Sequence, residues 1–215
     1  MKSFLIPGAM IAYGFITLGN NGFKNINDEI KEEVWTEHPH KLKHIDNYLQ
    51  FMPAVSVYGL NALGIHGKNS LRDRSLICLM SNIIVGTTVF SVKKISHQLR
   101  PDGSDHYSFP SGHTAEAFAS AEFMWQEYKD VSAWYGVAGY AMATTTGFLR
   151  MYNNRHWLND VVAGAGIGIL STKSAYWIYP SMKRNFFKDK PVNTMILPYY
   201  QNGSVGLSLV HNFQR

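Results

Sequence analysis

The feature that most constrains this chain is where charge is missing. Residues 3–23, 47–67, 75–92 and 131–149 contain no Asp, Glu, Lys or Arg, and a fifth run, 161–177, is broken only by Lys173. Each run is close to the ~20 residues that an α-helix needs to cross a bilayer. Such a chain folds either as helices in a membrane or as a soluble bundle whose inner helices are apolar all round. Membrane integration is the expectation here. Two observations pull the other way: the mean hydropathy is only -0.14, and Glu116, Glu122 and Glu127 interrupt a helical pattern where lipid would penalise them. With 46% hydrophobic and 16% charged residues, the 215-residue chain is neither disordered nor fibrous.

The single cysteine, Cys78, excludes an intrachain disulfide and any cysteine-rich metal site. A net charge of +5 suits an anionic partner, whether nucleic acid, an anionic membrane or a phosphorylated substrate. Lys2 precedes an apolar stretch, but no A-x-A cleavage pattern follows near Gly19, so residues 4–18 read as a retained first helix rather than a signal peptide.

Residues 24–46 read as a solvated helix and loop, with His38, His40 and His44 on the surface. The next apolar run, 47–67, supplies a second helix, and a third is expected from Ser75 to Arg100, stopping before Pro101. A loop over 102–110 leads to a fourth helix opening near Ser111. The fifth covers 131–149, and the sixth runs from Trp157 to Tyr179 after the polar turn 151–155. Beyond Pro180 and a basic link, two β-prone runs flank Asn202-Gly203, the strongest short-range hairpin signal. The expected fold is therefore all-α, a bundle of about six helices with a site at one end. It comprises a helical domain over 1–180 and a tail over 181–215 that ends in a short β-hairpin.

Three blocks beside the apolar runs carry chemistry. Lys93 and Arg100 are seven residues apart, which on a helix puts both cations, with His97, along one face. Pro110-Ser111-Gly112-His113 opens a helix, where a hydroxyl, unpaired N–H groups and the positive end of the dipole attract an anion. Arg150 offers a planar fork for phosphate oxygens. Downstream, His156 and Asp160 stand at i and i+4, so the carboxylate can fix the tautomer that leaves the second ring nitrogen nucleophilic. The glycines of 161–170 follow no strand, so a dinucleotide site is dismissed; Gly164 and Gly168 are expected to let the last helix pack closely.

In this order and spacing, Lys93-x6-Arg100-Pro101, Pro110-Ser111-Gly112-His113 and Arg150-x5-His156-x3-Asp160 resemble the type 2 phosphatidic acid phosphatase superfamily over about residues 50–180. That superfamily holds lipid phosphate phosphatases, bacterial acid phosphatases and vanadium haloperoxidases. The membrane lipid phosphatases, with six helices, are the nearest in pattern. One departure stands out: the third motif of the family begins Ser-Arg, whereas Leu149 precedes Arg150 here, removing one hydroxyl.

The resemblance implies a metal-independent, cofactor-free phosphatase acting on a phosphorylated membrane lipid, with no nucleic-acid partner. Candidate substrates are lipid A, phosphatidic acid, phosphatidylglycerol phosphate and isoprenoid pyrophosphates. It implies that His156, oriented by Asp160, attacks phosphorus and that His113 protonates the leaving oxygen. Lys93, Arg100, Ser111, Gly112 and Arg150 would hold the phosphate. A soluble secreted acid phosphatase is the runner-up, ahead of a haloperoxidase or a non-enzymatic membrane protein. With Met1 cytoplasmic and six spans, Lys and Arg are in excess on the inside once the site cations are set aside, so the site would face the periplasm of a bacterial inner membrane.

Overall fold

A computed structural model describes residues 2–19, 21–37, 41–186, 194–201 and 204–211. Among them are eight α-helices: α1 Leu5–Gly19, α2 Asn21–Lys31, α3 Asp46–Leu49, α4 Met52–Ala62, α5 Leu71–Ser96, α6 Gly112–Tyr128, α7 Ala133–Tyr152 and α8 Leu158–Phe186. The chain divides into two units, Met1–Trp177 and Ile178–Arg215. In the second, β1 Thr194–Gln201 pairs antiparallel with β2 Ser204–His211. The expected turn residues Asn202 and Gly203 lie outside the described residues, as do His38 and His40.

The helical unit is organised around α6. Its small residues Ala115, Ala117, Ala119, Ser120 and Ala121 are all buried, so neighbours approach its backbone from several sides. α8 comes closest. A Cβ added at Gly164 would stand 2.6 Å from the Ser111 carbonyl oxygen, and one at Gly168 would stand 2.1 Å from that of Ala115. No side chain fits in that gap, which is the physical reason for both glycines. Thr172 continues the seam, donating to the Ala119 carbonyl at 3.0 Å and sharing a 2.6 Å hydrogen bond with Ser81 of α5. Ile167 completes this contact by packing with Val85, Val89, Ala115 and Ala119.

Two of the three glutamates of α6, Glu122 and Glu127, face protein, and Glu116 is half-buried. Glu122 accepts from Lys173 at 2.8 Å and from Gln126 at 2.6 Å, and it also takes the Tyr140 hydroxyl. Glu127 lies 3.6 Å from Arg74 and accepts from Tyr176 and Asn69 at 2.6 Å each. Both carboxylates are 1% exposed. Buried charges are tolerated when paired and hydrogen-bonded, so the lone Lys173 of the fifth apolar run is the partner of one of them.

Several sequence expectations are corrected. The run 47–67 yields only α3 and the 11-residue α4, about 16 Å long, because the chain turns at Gln50 and Phe51 and again at Gly64, whose φ is +85°. Of the five apolar runs, α5 alone among the described residues is both long and apolar enough to span a bilayer. α7 and α8 have the length but dilute their apolar residues with Gly, Ser and Thr. α5 also ends at Ser96 instead of Arg100, because His97 takes the left-handed conformation at φ 45° and closes the helix. Lys93 and Arg100 therefore do not share a helical face, and His97 is exposed beside Tyr107. α8 passes through Pro180, losing one backbone hydrogen bond without stopping.

The α6–α8 seam makes a direct prediction. Gly168→Val should destabilise the protein by at least the ~3 kcal/mol upper end of ordinary overpacking, read as a large drop in melting temperature. Wild-type melting would show that the helices do not meet as described.

Candidate active site

The site grows from the start of α8. Asp160, in the first turn, is fully buried, and its Oδ2 collects three donors: the Trp157 backbone N–H at 2.9 Å, His156 Nδ1 at 3.3 Å and the Ser108 hydroxyl. Reaching back to the backbone before the helix is half of a capping box, so the residue that begins α8 also orients the histidine. A carboxylate only accepts, so His156 carries its proton on Nδ1 and keeps a lone pair on Nε2. The Asp160 carbonyl accepts the Ser111 N–H at 3.0 Å, tying α8 to the start of α6.

At that start the Ser111 hydroxyl accepts from the Thr114 N–H at 3.4 Å and shares a 2.8 Å hydrogen bond with Thr114 Oγ1. It is the helix cap and is fully buried. Lys93, near the end of α5, donates to the carbonyls of Tyr107 and Ser108, the latter at 3.2 Å, and so pins the loop that presents Ser108. Arg100 sits in that loop, with its Nε 2.9 Å from Asp105.

A cavity of about 230 Å³ is walled by Arg100, His113, Arg150 and Arg155 together with Asn47 and Asn153. Three of the eight site residues expected from sequence, Arg100, His113 and Arg150, thus meet on one cavity. Lys93, Ser111, Gly112, His156 and Asp160 do not line it; His156 borders a small void of about 10 Å³ with Trp157 and Asn154. Arg150 links the two regions, since its side chain lines the cavity while its carbonyl accepts the His156 N–H at 3.3 Å.

Each arginine of the cavity holds one carboxylate: Arg100 with Asp105, Arg150 with Asp46 at 2.5 Å and Arg155 with Asp102 at 2.8 Å. Asp46 is 1% exposed, a correction to the solvated reading of residues 24–46. Ser108, Asp46, Asn47, Asn153 and Arg155 escaped sequence reasoning. Only Arg155 left a trace, as a cation next to the motif histidine. The others act across 52 to 110 residues of sequence, where no spacing rule reaches.

Both histidines are held neutral. Burial lowers His156 to about 4, the charges of Lys93 and Arg150 push the same way, and Asp160 opposes them. Burial also lowers His113 to about 4, with Arg150, Arg100 and Lys93 adding to it and Asp46 opposing. A neutral imidazole at position 156 is what nucleophilic attack requires, and an anion bound among the guanidinium groups would reverse the push on His113.

The PAP2 superfamily model matches residues 79–184, which hold all three motif blocks. The chain belongs to the PAP2 superfamily. A lipid A 1-phosphatase of Porphyromonas gingivalis is 39% identical over 155 residues, 72% of this chain. The match covers 35% of that relative, so the chain spans about a third of its length. Two crystal structures share the fold. Aquifex aeolicus LpxE has a TM-score of 0.53 at 22% identity, covering 71% of this chain and 95% of its own. The first transmembrane PAP2 type phosphatidylglycerolphosphate phosphatase from Bacillus subtilis has a TM-score of 0.57 at 18% identity, covering 84% and 98%.

The depressed histidines set a pH dependence of stability. Their folded values lie below the ordinary 6.5, so between pH 6.5 and 4 the unfolded chain binds protons that the folded chain refuses. Stability is complete above 6.5 and falls as pH drops through that window. His113→Gln should therefore lose less melting temperature than wild type between pH 7 and pH 5. An equal loss in both would contradict the buried, cation-facing placement of His113.

Proposed function

We propose that this chain is a membrane phosphatase that hydrolyses phosphate monoesters or pyrophosphates of lipids through a phosphohistidine on His156. The observation that carries the reading is the His156–Asp160 pair, fixed at the start of α8, next to a cavity where three arginines and His113 converge. Lipid A heads the candidate substrates because the 39% identical relative is a lipid A 1-phosphatase. Phosphatidic acid, phosphatidylglycerol phosphate and isoprenoid pyrophosphates follow. The phosphatase domain is assigned to residues 1–180, with 181–215 as a basic link and hairpin.

In the first step the Nε2 lone pair of His156 forms a bond to phosphorus while the bond to the lipid oxygen breaks, and His113, protonated to the imidazolium once the phosphate anion is bound, passes one N–H proton to that oxygen and becomes neutral. In the second, water attacks the phosphohistidine, neutral His113 takes the proton, and inorganic phosphate leaves with His156 restored. Negative charge spreads over the equatorial oxygens in both steps; the proposal assigns its stabilisation to the forks of Arg100 and Arg150, which border the cavity, with Lys93 and the N-terminus of α6 at Ser111 and Gly112 behind them. Those groups supply the positive charge that the reaction needs, so no metal or other cofactor enters this scheme.

One feature supports the membrane setting. Only 22% of the apolar window of α5 is buried, so Leu79, Ile83 and Phe90 face outward as they would toward lipid. The site is proposed to face the periplasm on the whole-sequence count of Lys and Arg alone; within the bundle, Lys68, Arg72 and Lys129 at the far end are balanced by Lys31, Lys43, Lys94 and Arg155 at the site end.

The deciding assay is phosphate release by purified protein in detergent and EDTA. The panel holds lipid A, phosphatidic acid, phosphatidylglycerol phosphate, undecaprenyl pyrophosphate and a soluble aryl phosphate. Release from a lipid is expected, reduced about a thousandfold or more in His156→Ala. Release from the aryl phosphate alone would instead make this a soluble-type acid phosphatase. Arg150→Lys should lose about a hundredfold in kcat, because a point charge cannot replace the planar fork. A wild-type rate in that variant would remove Arg150 from the phosphate site.

A further inference from the structure

Two consecutive side chains of α3 reach two groups of the proposed machinery. Asp46 Oδ2 accepts from Arg150 Nη1 at 2.5 Å, and Asn47 Oδ1 accepts from His113 Nε2 at 2.9 Å. The segment that brings them is locked in place by a two-way pairing with Asn153, just past the end of α7. The Lys43 N–H donates to Asn153 Oδ1 at 2.8 Å, and Asn153 Nδ2 donates to the Lys43 carbonyl at 2.6 Å. Asn153 is itself 5% exposed. Lys43, Asp46 and Asn47 lie outside the span that matches the PAP2 superfamily model.

Asp46 carries a cost that stability alone does not explain. Its Oδ1 and the Nε of Arg150 are both buried with no hydrogen-bond partner. A buried ion pair with unmet valences is weak evidence of stabilisation, because desolvation offsets much of the attraction. The arrangement does achieve orientation: one terminal nitrogen of the guanidinium is anchored on Asp46, and the side chain lines the cavity.

We infer that Asp46 and Asn47 are positioning residues of the phosphoryl-transfer site, Asp46 aiming the Arg150 guanidinium and Asn47 backing the imidazole of His113. The inference rests on the phosphatase reading above. With Nε2–H given to Asn47, the transferred proton belongs to Nδ1 of His113. The two histidines then have different partners for different tasks. His156 becomes cationic as it bonds to phosphorus and is backed by a carboxylate, which stabilises positive charge. His113 must release its proton and is backed by a neutral amide, which orients the ring without holding the proton as firmly. Other charged groups also act on His113: Asp46 of α3, Arg150 of α7, Lys93 of α5 and Arg100 of the connecting loop. His44 and Arg155 line the same cavity.

The test is the pH dependence of kcat and kcat/KM for phosphate release from the best lipid of the panel, in full-length protein. Variants are Asn47→Ala, Asn47→Asp and Asp46→Asn, each with its melting temperature. The alkaline limb reports the acid, His113, and the acid limb reports His156. Asn47→Ala should lower kcat about tenfold and move the alkaline limb down by about one pH unit. Asn47→Asp, nearly isosteric, should move it up by about as much. Asp46→Asn should raise KM about tenfold and also move the limb down. The acid limb should stay in place throughout. Limbs unmoved in both Asn47 variants, whatever happens to kcat or melting, would overturn the inference while leaving the phosphatase reading intact. If wild type releases no phosphate from any substrate, that reading fails; the His113 titration followed by NMR in wild type and Asn47→Asp still decides whether Asn47 governs its proton.

Discussion

The structure depends on one close approach, that of α8 to α6. Gly164 and Gly168 let the α8 backbone meet that of α6 with no side chain between them. The contact is what places Asp160 beneath Ser111, whose N–H the Asp160 carbonyl accepts, and within reach of Ser108. Asp160 then does three local jobs with one oxygen: it caps α8, fixes the loop after α5 through Ser108 and holds the tautomer of His156. Packing and chemistry are therefore the same feature seen at two scales. A shift of α8 along α6 would move nucleophile, cap and loop together.

Electrostatics divides the molecule into two ends. Away from the site, two of the three carboxylates on α6 are matched by cations: Glu122 by Lys173, and Glu127 by Arg74. At the site the arginines are paired too, Arg100 with Asp105, Arg150 with Asp46 and Arg155 with Asp102, but they converge on one cavity. Arg100, Arg150 and Arg155 border one cavity with Lys93 close behind, and the two histidines answer by staying neutral. Guanidinium forks that converge in this way suit a multiply charged anion. Phosphate would add negative charge beside His113, restore its ability to hold a proton and meet a nucleophile that is already unprotonated.

Much of this was legible in the sequence wherever cause and effect lie close together along the chain. The Ser111 cap, the His156–Asp160 pair and the glycines of α8 follow from local spacing, and each appears where the motifs put it. The errors came where apolar composition stood in for length. The run 47–67 contains no charge, yet turns at Gln50 and Phe51 and at Gly64 break it into pieces too short to span. The regular spacing of Lys93 and Arg100 likewise misled, because one left-handed residue, His97, ends the helix between them. Asp46 and Asn47 were invisible for a different reason: Asp46 closes a polar stretch that reads as solvent-facing, Asn47 opens a run read only as apolar helix, and only the fold carries them to α7 and α6.

The central claim is that His156 becomes covalently bonded to phosphorus, and rapid quench with a phosphate-labelled lipid tests it directly. The account predicts an acid-labile, base-stable label on the peptide that contains His156, formed and lost at rates consistent with turnover. Turnover with no protein-bound label under single-turnover conditions, or a label on another residue, would contradict it.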